Sequence, residues 1–196
     1  MDAIRAFIAV EVPPGILTQL DDLEAQLKRQ MPPGSIRWVK PDSIHLTLKF
    51  LGQVPSDQLG LITSSLKTAA AAHPAFTLEV SGAGCFPNAH RPRVVWAGVH
   101  EIGGGHQLLH LQRAVEHAIA PLGYPTEQRD FSPHLTLGRL ARDVKQHELK
   151  QVGEVVTAAP VGVLGRWEVT HVALIKSDLQ PTGAVYTVLA RAPLTK

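Results

Sequence analysis

Apolar and polar residues alternate most clearly in two stretches that share four letters. These are His45–Leu48 within IHLTLKFLG and His134–Leu137 within FSPHLTLGR. Two-residue alternation with β-branched residues predicts a strand, and strand side chains point to opposite faces in turn. His45 and Thr47 therefore share one face, and Leu46 and Leu48 turn into a core. His134 and Thr136 repeat the arrangement against Leu135 and Leu137. Turn-forming residues precede each copy, Pro41-Asp42-Ser43 and Ser132-Pro133, and a glycine follows, Gly52 or Gly138.

The remaining pattern fills in around these strands. Ile4–Val12 reads as a strand ended by Pro13-Pro14, which suit the first turn of a helix. Ile16, Leu20, Leu23 and Leu27 then follow helical spacing. Ile36–Val39 predicts a short strand. A second helix follows Pro55-Ser56, with Leu59, Ile62, Leu66 and Ala69 or Ala70 as its stripe. Phe76, Leu78 and Val80 alternate as a strand, and Arg93–Val99 is apolar enough for a central one. Leu108, Leu111, Val115, Ala118 and Leu122 mark a third helix, closed by Gly123 and Pro125. Val144–Gln151 reads as a short helical turn. Arg166–Lys176 and Ala184–Ala192 read as strands joined by the hairpin loop SDLQPTG. Strands and helices interleave without strict βαβα alternation, and short loops favour antiparallel pairing. The expectation is an α+β fold whose repeated motif builds two similar lobes. No low-complexity linker divides residues 1–196, which predicts one compact domain.

Composition changes this picture little. At 44% hydrophobic and 18% charged residues, the chain is neither a disordered tail nor a coiled coil. A net charge of +2 permits an anionic ligand without demanding a nucleic-acid groove. The lone cysteine, Cys85, cannot form an intramolecular disulfide, which points to a reducing, cytoplasmic setting and a small buried residue rather than a nucleophile. MDAIRAFIAVEVPP is too short in its apolar run, and too acidic, for a secretion signal. No apolar run reaches transmembrane length, so no membrane partner is expected.

The chemistry lies in the paired motif. Histidine, with a pKa of about 6.5, can give or take a proton near neutrality. Two imidazoles on rigid strands, each with a hydroxyl two residues on, suit acid–base chemistry on a phosphate, with threonine hydroxyls donating to its oxygens. Arg139 lies opposite His134 by strand parity unless the strand twists at Gly138. Lys49 shares the His45 face by parity and could meet a phosphate, whereas Phe50 falls on the core face. Phe86, Phe131 and Trp38 are aromatic candidates for base stacking. His106 and His110 have metal-ligand spacing, but HQLLH lacks the glutamate of HExxH, and a solvated basic face is the simpler reading.

RWVKPDSIHLTLKFLG, FSPHLTLGR, PRVVWAGV and SDLQPTGAVYTVL resemble the bacterial and archaeal RNA 2′,3′-cyclic phosphodiesterases. These were formerly called 2′-5′ RNA ligases and form part of the two-histidine HxTx phosphoesterase superfamily. The resemblance runs essentially end to end. It implies a bilobal α+β fold, two mainly antiparallel sheets with flanking helices and a central cleft between the HxTx strands. It further implies hydrolysis of RNA 2′,3′-cyclic phosphate ends to 2′-phosphates by a monomer, with no metal and no cofactor. His45 would be the proton donor and His134 the proton acceptor; Thr47 and Thr136 would bind phosphate, with Arg139 as a candidate third ligand. Two other functions fit the same residues: 2′-5′ RNA ligation by the reverse reaction, and an RNA- or nucleotide-binding module.

Overall fold

A computed structural model describes residues 2–180 and 183–195. The alternating stretches form strands β1 (Ala3–Glu11), β2 (Ile36–Trp38), β3 (His45–Pro55), β4 (Phe76–Phe86), β5 (Val94–Ile102), β6 (His134–Leu140), β7 (Val163–Val169), β8 (His171–Gln180) and β9 (Gly183–Pro193). The helices are α1 (Pro14–Lys28), α2 (Leu59–Ala70), α3 (Gln107–Ile119) and α4 (Gln146–Ala158). Two antiparallel sheets result, ordered β3-β1-β8-β9 and β2-β6-β5-β4-β7. One HLTL strand lies in each sheet, as an α+β fold with two lobes requires.

The helices bury the stripes their spacing predicted: Ile16, Leu20, Leu23 and Leu27 on α1, and Ile62, Leu66 and Ala70 on α2. On α3, Ile119 rather than Ala118 completes the buried face. These residues join Leu46, Leu48, Leu135 and Leu137 in one continuous core drawn from both sheets. Each such leucine contributes roughly 1.5–3 kcal/mol by leaving water. A second, smaller apolar layer consists of Phe7, Ala9, Ala173 and Ile175, with Tyr186 and Val188 packed on it. Among the described residues, no helix is long and apolar enough to cross a membrane.

Two local expectations are corrected. The strand predicted over Arg166–Lys176 is two strands in different sheets: β7 ends on β4, with Val169 facing Phe76, and β8 begins on β9, with His171 facing Pro193. Partner choice, which local alternation does not encode, makes the break at Thr170. The short turn over Val144–Gln151 is the start of the longer helix α4. Its backbone start is capped by Glu148, whose carboxylate accepts the Lys145 N–H at 2.7 Å. The apolar face of α4 is narrow, Val152, Gly153 and Val156, because a β-carbon on Gly153 would lie 1.9 Å from the Ala89 carbonyl oxygen. Pro181 and Thr182 of the predicted hairpin loop lie outside the described residues.

One buried charge makes stability depend on pH. Glu24 on α1 is 1% exposed, and its nearest cation is Lys28 Nζ at 3.1 Å. Burial pushes the carboxyl up to about 7 from 4.5, against the opposing pull of Lys28. A pKa raised by folding leaves stability intact below the unfolded value and erodes it as pH rises through the folded one. Glu24→Met should therefore stabilise the fold by about 1–3 kcal/mol near pH 8 and by much less near pH 4. Urea unfolding at both pH values checks this; an equal gain at both would assign the effect to packing alone.

Candidate active site

Each HLTL histidine opens its strand just after a turn, and each turn supplies the same contact. His45 Nδ1 donates to the Ser43 carbonyl at 3.0 Å, and His134 Nδ1 donates to the Ser132 carbonyl at 2.8 Å. A carbonyl has no proton to give, so Nδ1 must carry it in both rings. Nε2 is then the nitrogen left to accept a proton when the ring is neutral and to donate one when it is charged.

Aromatic rings fix both imidazoles further. Phe7 stacks on His45 with centroids 4.4 Å apart, and the Tyr186 ring meets its edge at 5.1 Å. Phe86 meets His134 edge-on at 4.8 Å and leans on Trp96. The Trp96 ring in turn lies so close over Gly84 that a β-carbon there would come within 2.3 Å of it. Burial against these rings holds both histidines below their ordinary pKa. His45 falls to about 4 despite the opposing Ser43 hydrogen bond. His134 is also lowered, chiefly by burial, with the Ser132 bond opposing and the Arg139 charge adding to the fall.

A β-bulge in each motif strand decides what else reaches this face. On β3, Thr47 pairs with Ala9 and Lys49 with Ile8, leaving Leu48 as an extra residue. On β6, Thr136 pairs with Trp96 and Gly138 with Val95, leaving Leu137 extra. An extra residue reverses the alternation beyond it. Lys49 therefore turns inward, 5% exposed, and pairs with Glu116 of α3, contrary to its predicted place beside His45. Phe50, predicted to be core, emerges instead on the His45 face at 66% exposure. Arg139 moves to the His134 face by the same inversion.

The two motifs meet at one cleft of about 1060 Å³, lined by Thr47 and Phe50 from β3, His134 and Arg139 from β6, and Phe86 and Arg93 beside them. His45 lies on the Thr47 face of β3, and Thr136 lies between His134 and Arg139 on β6. Burial pushes the phenol of Tyr186, which meets His45, above its ordinary value, and the charges of Arg139 and Arg5 oppose that rise. Trp38 belongs elsewhere: it packs on the core with Lys28 over its ring. Phe131 lines the cleft while packing partly on the core. His106 sits at the N-cap of α3 with a left-handed φ of 52°, and among the described residues no three His, Cys, Asp or Glu side chains cluster as metal ligands would.

A family model, that of the LigT like phosphoesterases, matches residues 10–96 and 103–186. The chain belongs to this family. It is 31% identical to an RNA 2′,3′-cyclic phosphodiesterase of Methanothermobacter thermautotrophicus over 94% of this chain and 95% of the relative. The crystal structure of TT0787 of Thermus thermophilus superposes with a TM-score of 0.78 at 28% identity, covering 97% of this chain and 98% of that one. The Escherichia coli LigT structure complexed with 3′-AMP gives a TM-score of 0.73 at 28% identity and full coverage of both chains.

Within this LigT-like chain, sequence reasoning missed Phe7, Tyr186 and the outward turn of Phe50. The first two stand far from His45 along the chain, and no local signal joins them to it. Gly138 directly follows the bulge in β6, and a β-carbon there would lie 2.5 Å from Ile36 Cγ2 on β2. Gly138→Ala must push β2 or β6 aside, at a cost of about 1–3 kcal/mol. The shift should also lower turnover at least tenfold by moving Arg139. Unfolding curves and initial rates of the variant test both effects; a stable variant with full activity would mean that β2 yields freely.

Proposed function

We propose that this LigT-like phosphoesterase hydrolyses RNA 2′,3′-cyclic phosphate ends to 2′-phosphates, with His45 and His134 exchanging the protons. The observation that carries this reading is the twin anchoring of Nδ1 to Ser43 and Ser132 carbonyls, which leaves both Nε2 atoms as the reactive ones. The names of the relatives support the substrate, and the 3′-AMP complex of a similar structure supports a nucleotide end.

In this scheme His134 Nε2 takes a proton from water as the water oxygen bonds to phosphorus. The bond from phosphorus to the 3′ oxygen breaks, and His45 Nε2 gives that oxygen its proton. Thr47 and Thr136 hydroxyls donate to the non-bridging oxygens, and the Arg139 guanidinium offsets the growing negative charge. Phe50 offers an exposed ring to the base. Burial leaves His45 neutral near pH 7 in the free protein, so it needs a reason to hold a proton. The phosphate anion supplies one, because an adjacent negative charge favours imidazolium. The buried single thiol of Cys85, raised to about 11 by burial, is unreactive and suits a protein of the cytoplasm.

The direct test uses an RNA oligomer with a 2′,3′-cyclic phosphate end, in the presence of a metal chelator. His45→Ala and His134→Ala should each lower kcat by about 10²–10⁴-fold, the usual contribution of one acid or base. A 2′-phosphate product supports the proposed bond cleavage; undiminished turnover in either variant removes that histidine from the chemistry. A second test reads pH. The rate requires one neutral and one protonated imidazole, and both are lowered in the free protein. The kcat/KM profile should thus peak below about 6.5, the ordinary histidine value, while the kcat profile, read with phosphate bound, should peak at higher pH. Superimposed profiles would contradict the proposed gain of affinity for the proton.

A further inference from the structure

Between α3 and β6 the chain crosses the cleft as a strap, residues 124–133, that is neither helix nor strand. Residues 125–132 form one wall of the cleft. An irregular segment of this length is ordinarily mobile, yet its start is tied to a buried ion pair. The Lys49 ammonium donates to the Glu116 carboxylate and to the Pro125 carbonyl at 2.9 Å. The same Glu116 oxygen accepts the Glu127 N–H at 3.2 Å. Its other oxygen accepts from the Gln112 side chain at 3.3 Å, and that amide also reaches the Leu48 carbonyl at 3.4 Å. Strand β3, helix α3 and the strap thus meet at one buried charge pair, 5% and 6% exposed.

Such a pair is seldom a source of net stability, because desolvation cancels much of its attraction. What it does here is hold two alternate backbone groups of the strap. From that fixed point Glu127 grips the Arg129 guanidinium at 2.8 and 3.2 Å and the N–H groups of Gln128 and Arg129 at 3.0 and 3.2 Å. Arg129 is 87% exposed and lines the same cleft as Arg93 and Arg139. The cleft volume of about 1060 Å³ lies at the upper limit of sites that enclose one small molecule, roughly 300–1,000 Å³. A cleft of this size has room for more chain than one nucleotide, and Arg129 is a cation on its strap wall that could hold it.

We infer that Lys49 and Glu116 are positioning residues that hold the strap as a binding wall for the nucleotide next to the cyclic end, so that oligonucleotides are preferred to mononucleotides. This rests on the cyclic-phosphate reading above. The strap grips the phosphodiester upstream of the reacting ribose through Arg129, and Lys49, which borders the cleft from its buried position, acts by holding the strap.

The test compares an RNA tetramer ending in a 2′,3′-cyclic phosphate with adenosine 2′,3′-cyclic phosphate. The unaltered protein should show the lower KM for the tetramer. K49M/E116Q removes both buried charges together, avoiding the orphan that a single variant would leave. It should raise the tetramer KM about tenfold and change the mononucleotide KM less than twofold. Glu127→Ala, on the exposed part of the strap, frees Arg129 without touching the buried pair and should raise only the tetramer KM, about threefold. Equal KM values for the two substrates in the unaltered protein, or equal changes for both in Glu127→Ala, would overturn the inference. Should the unaltered protein turn over neither substrate, the hydrolase reading fails. The strap is then judged by titrating a tetramer with a 3′-phosphate end against adenosine 3′-phosphate. Preference for the tetramer, lost in Glu127→Ala, upholds the strap; equal affinities reject it.

Discussion

The site depends on one irregularity used twice, an extra residue that closes each HLTL motif. Strict alternation would place the side chain five positions beyond each histidine on the opposite face of its sheet. Leu48 and Leu137 take up the extra positions, and the faces exchange just beyond them. Phe50 and Arg139 consequently join Thr47 and His134 in the lining of the cleft. The leucines remain in the core, so the inversion is anchored by the same burial that builds the fold. A local departure from sheet geometry thereby turns two four-letter motifs into two six-residue ones.

The copies differ at the residue after the bulge, and the difference follows from what covers each strand. Strand β3 is an edge of its sheet, leaving room beneath Lys49 for helix α3 and the strap. Strand β6 is flanked by β2, which approaches too closely for any side chain at position 138. One copy therefore became a charged tie to a neighbouring segment and the other a bare backbone contact. The emerging residues differ too, an aromatic ring on one side and a guanidinium on the other. Near-symmetric strands thus present an asymmetric cleft.

Much of this was legible in the sequence. The alternation at HLTL correctly paired each histidine with its threonine and sent the leucines inward, and helical spacing located three helices and their buried stripes. The repeat itself announced two lobes. What stayed hidden has a common physical cause: it depends on partners distant along the chain. The bulges exist only relative to β1 and β5, so parity misplaced Lys49 and Phe50 and left Arg139 undecided. The division of Arg166–Lys176 between two sheets reflects which strand each half finds. Helix α4 looked short because its contact face is narrowed by Gly153 against the backbone of another loop. Phe7 and Tyr186 carry no local mark of their place beside His45.

The four-stranded sheet draws β1 and β3 from the beginning of the sequence and β8 and β9 from its end. A nascent chain leaving the ribosome therefore carries the first histidine until β8 and β9 have been made, without the strand that lies against β1 or the tyrosine that meets the imidazole edge. Pairing over such separations is slow, since loop closure must precede any gain from contact. The first motif, though translated before the second, gains its full set of neighbours after it.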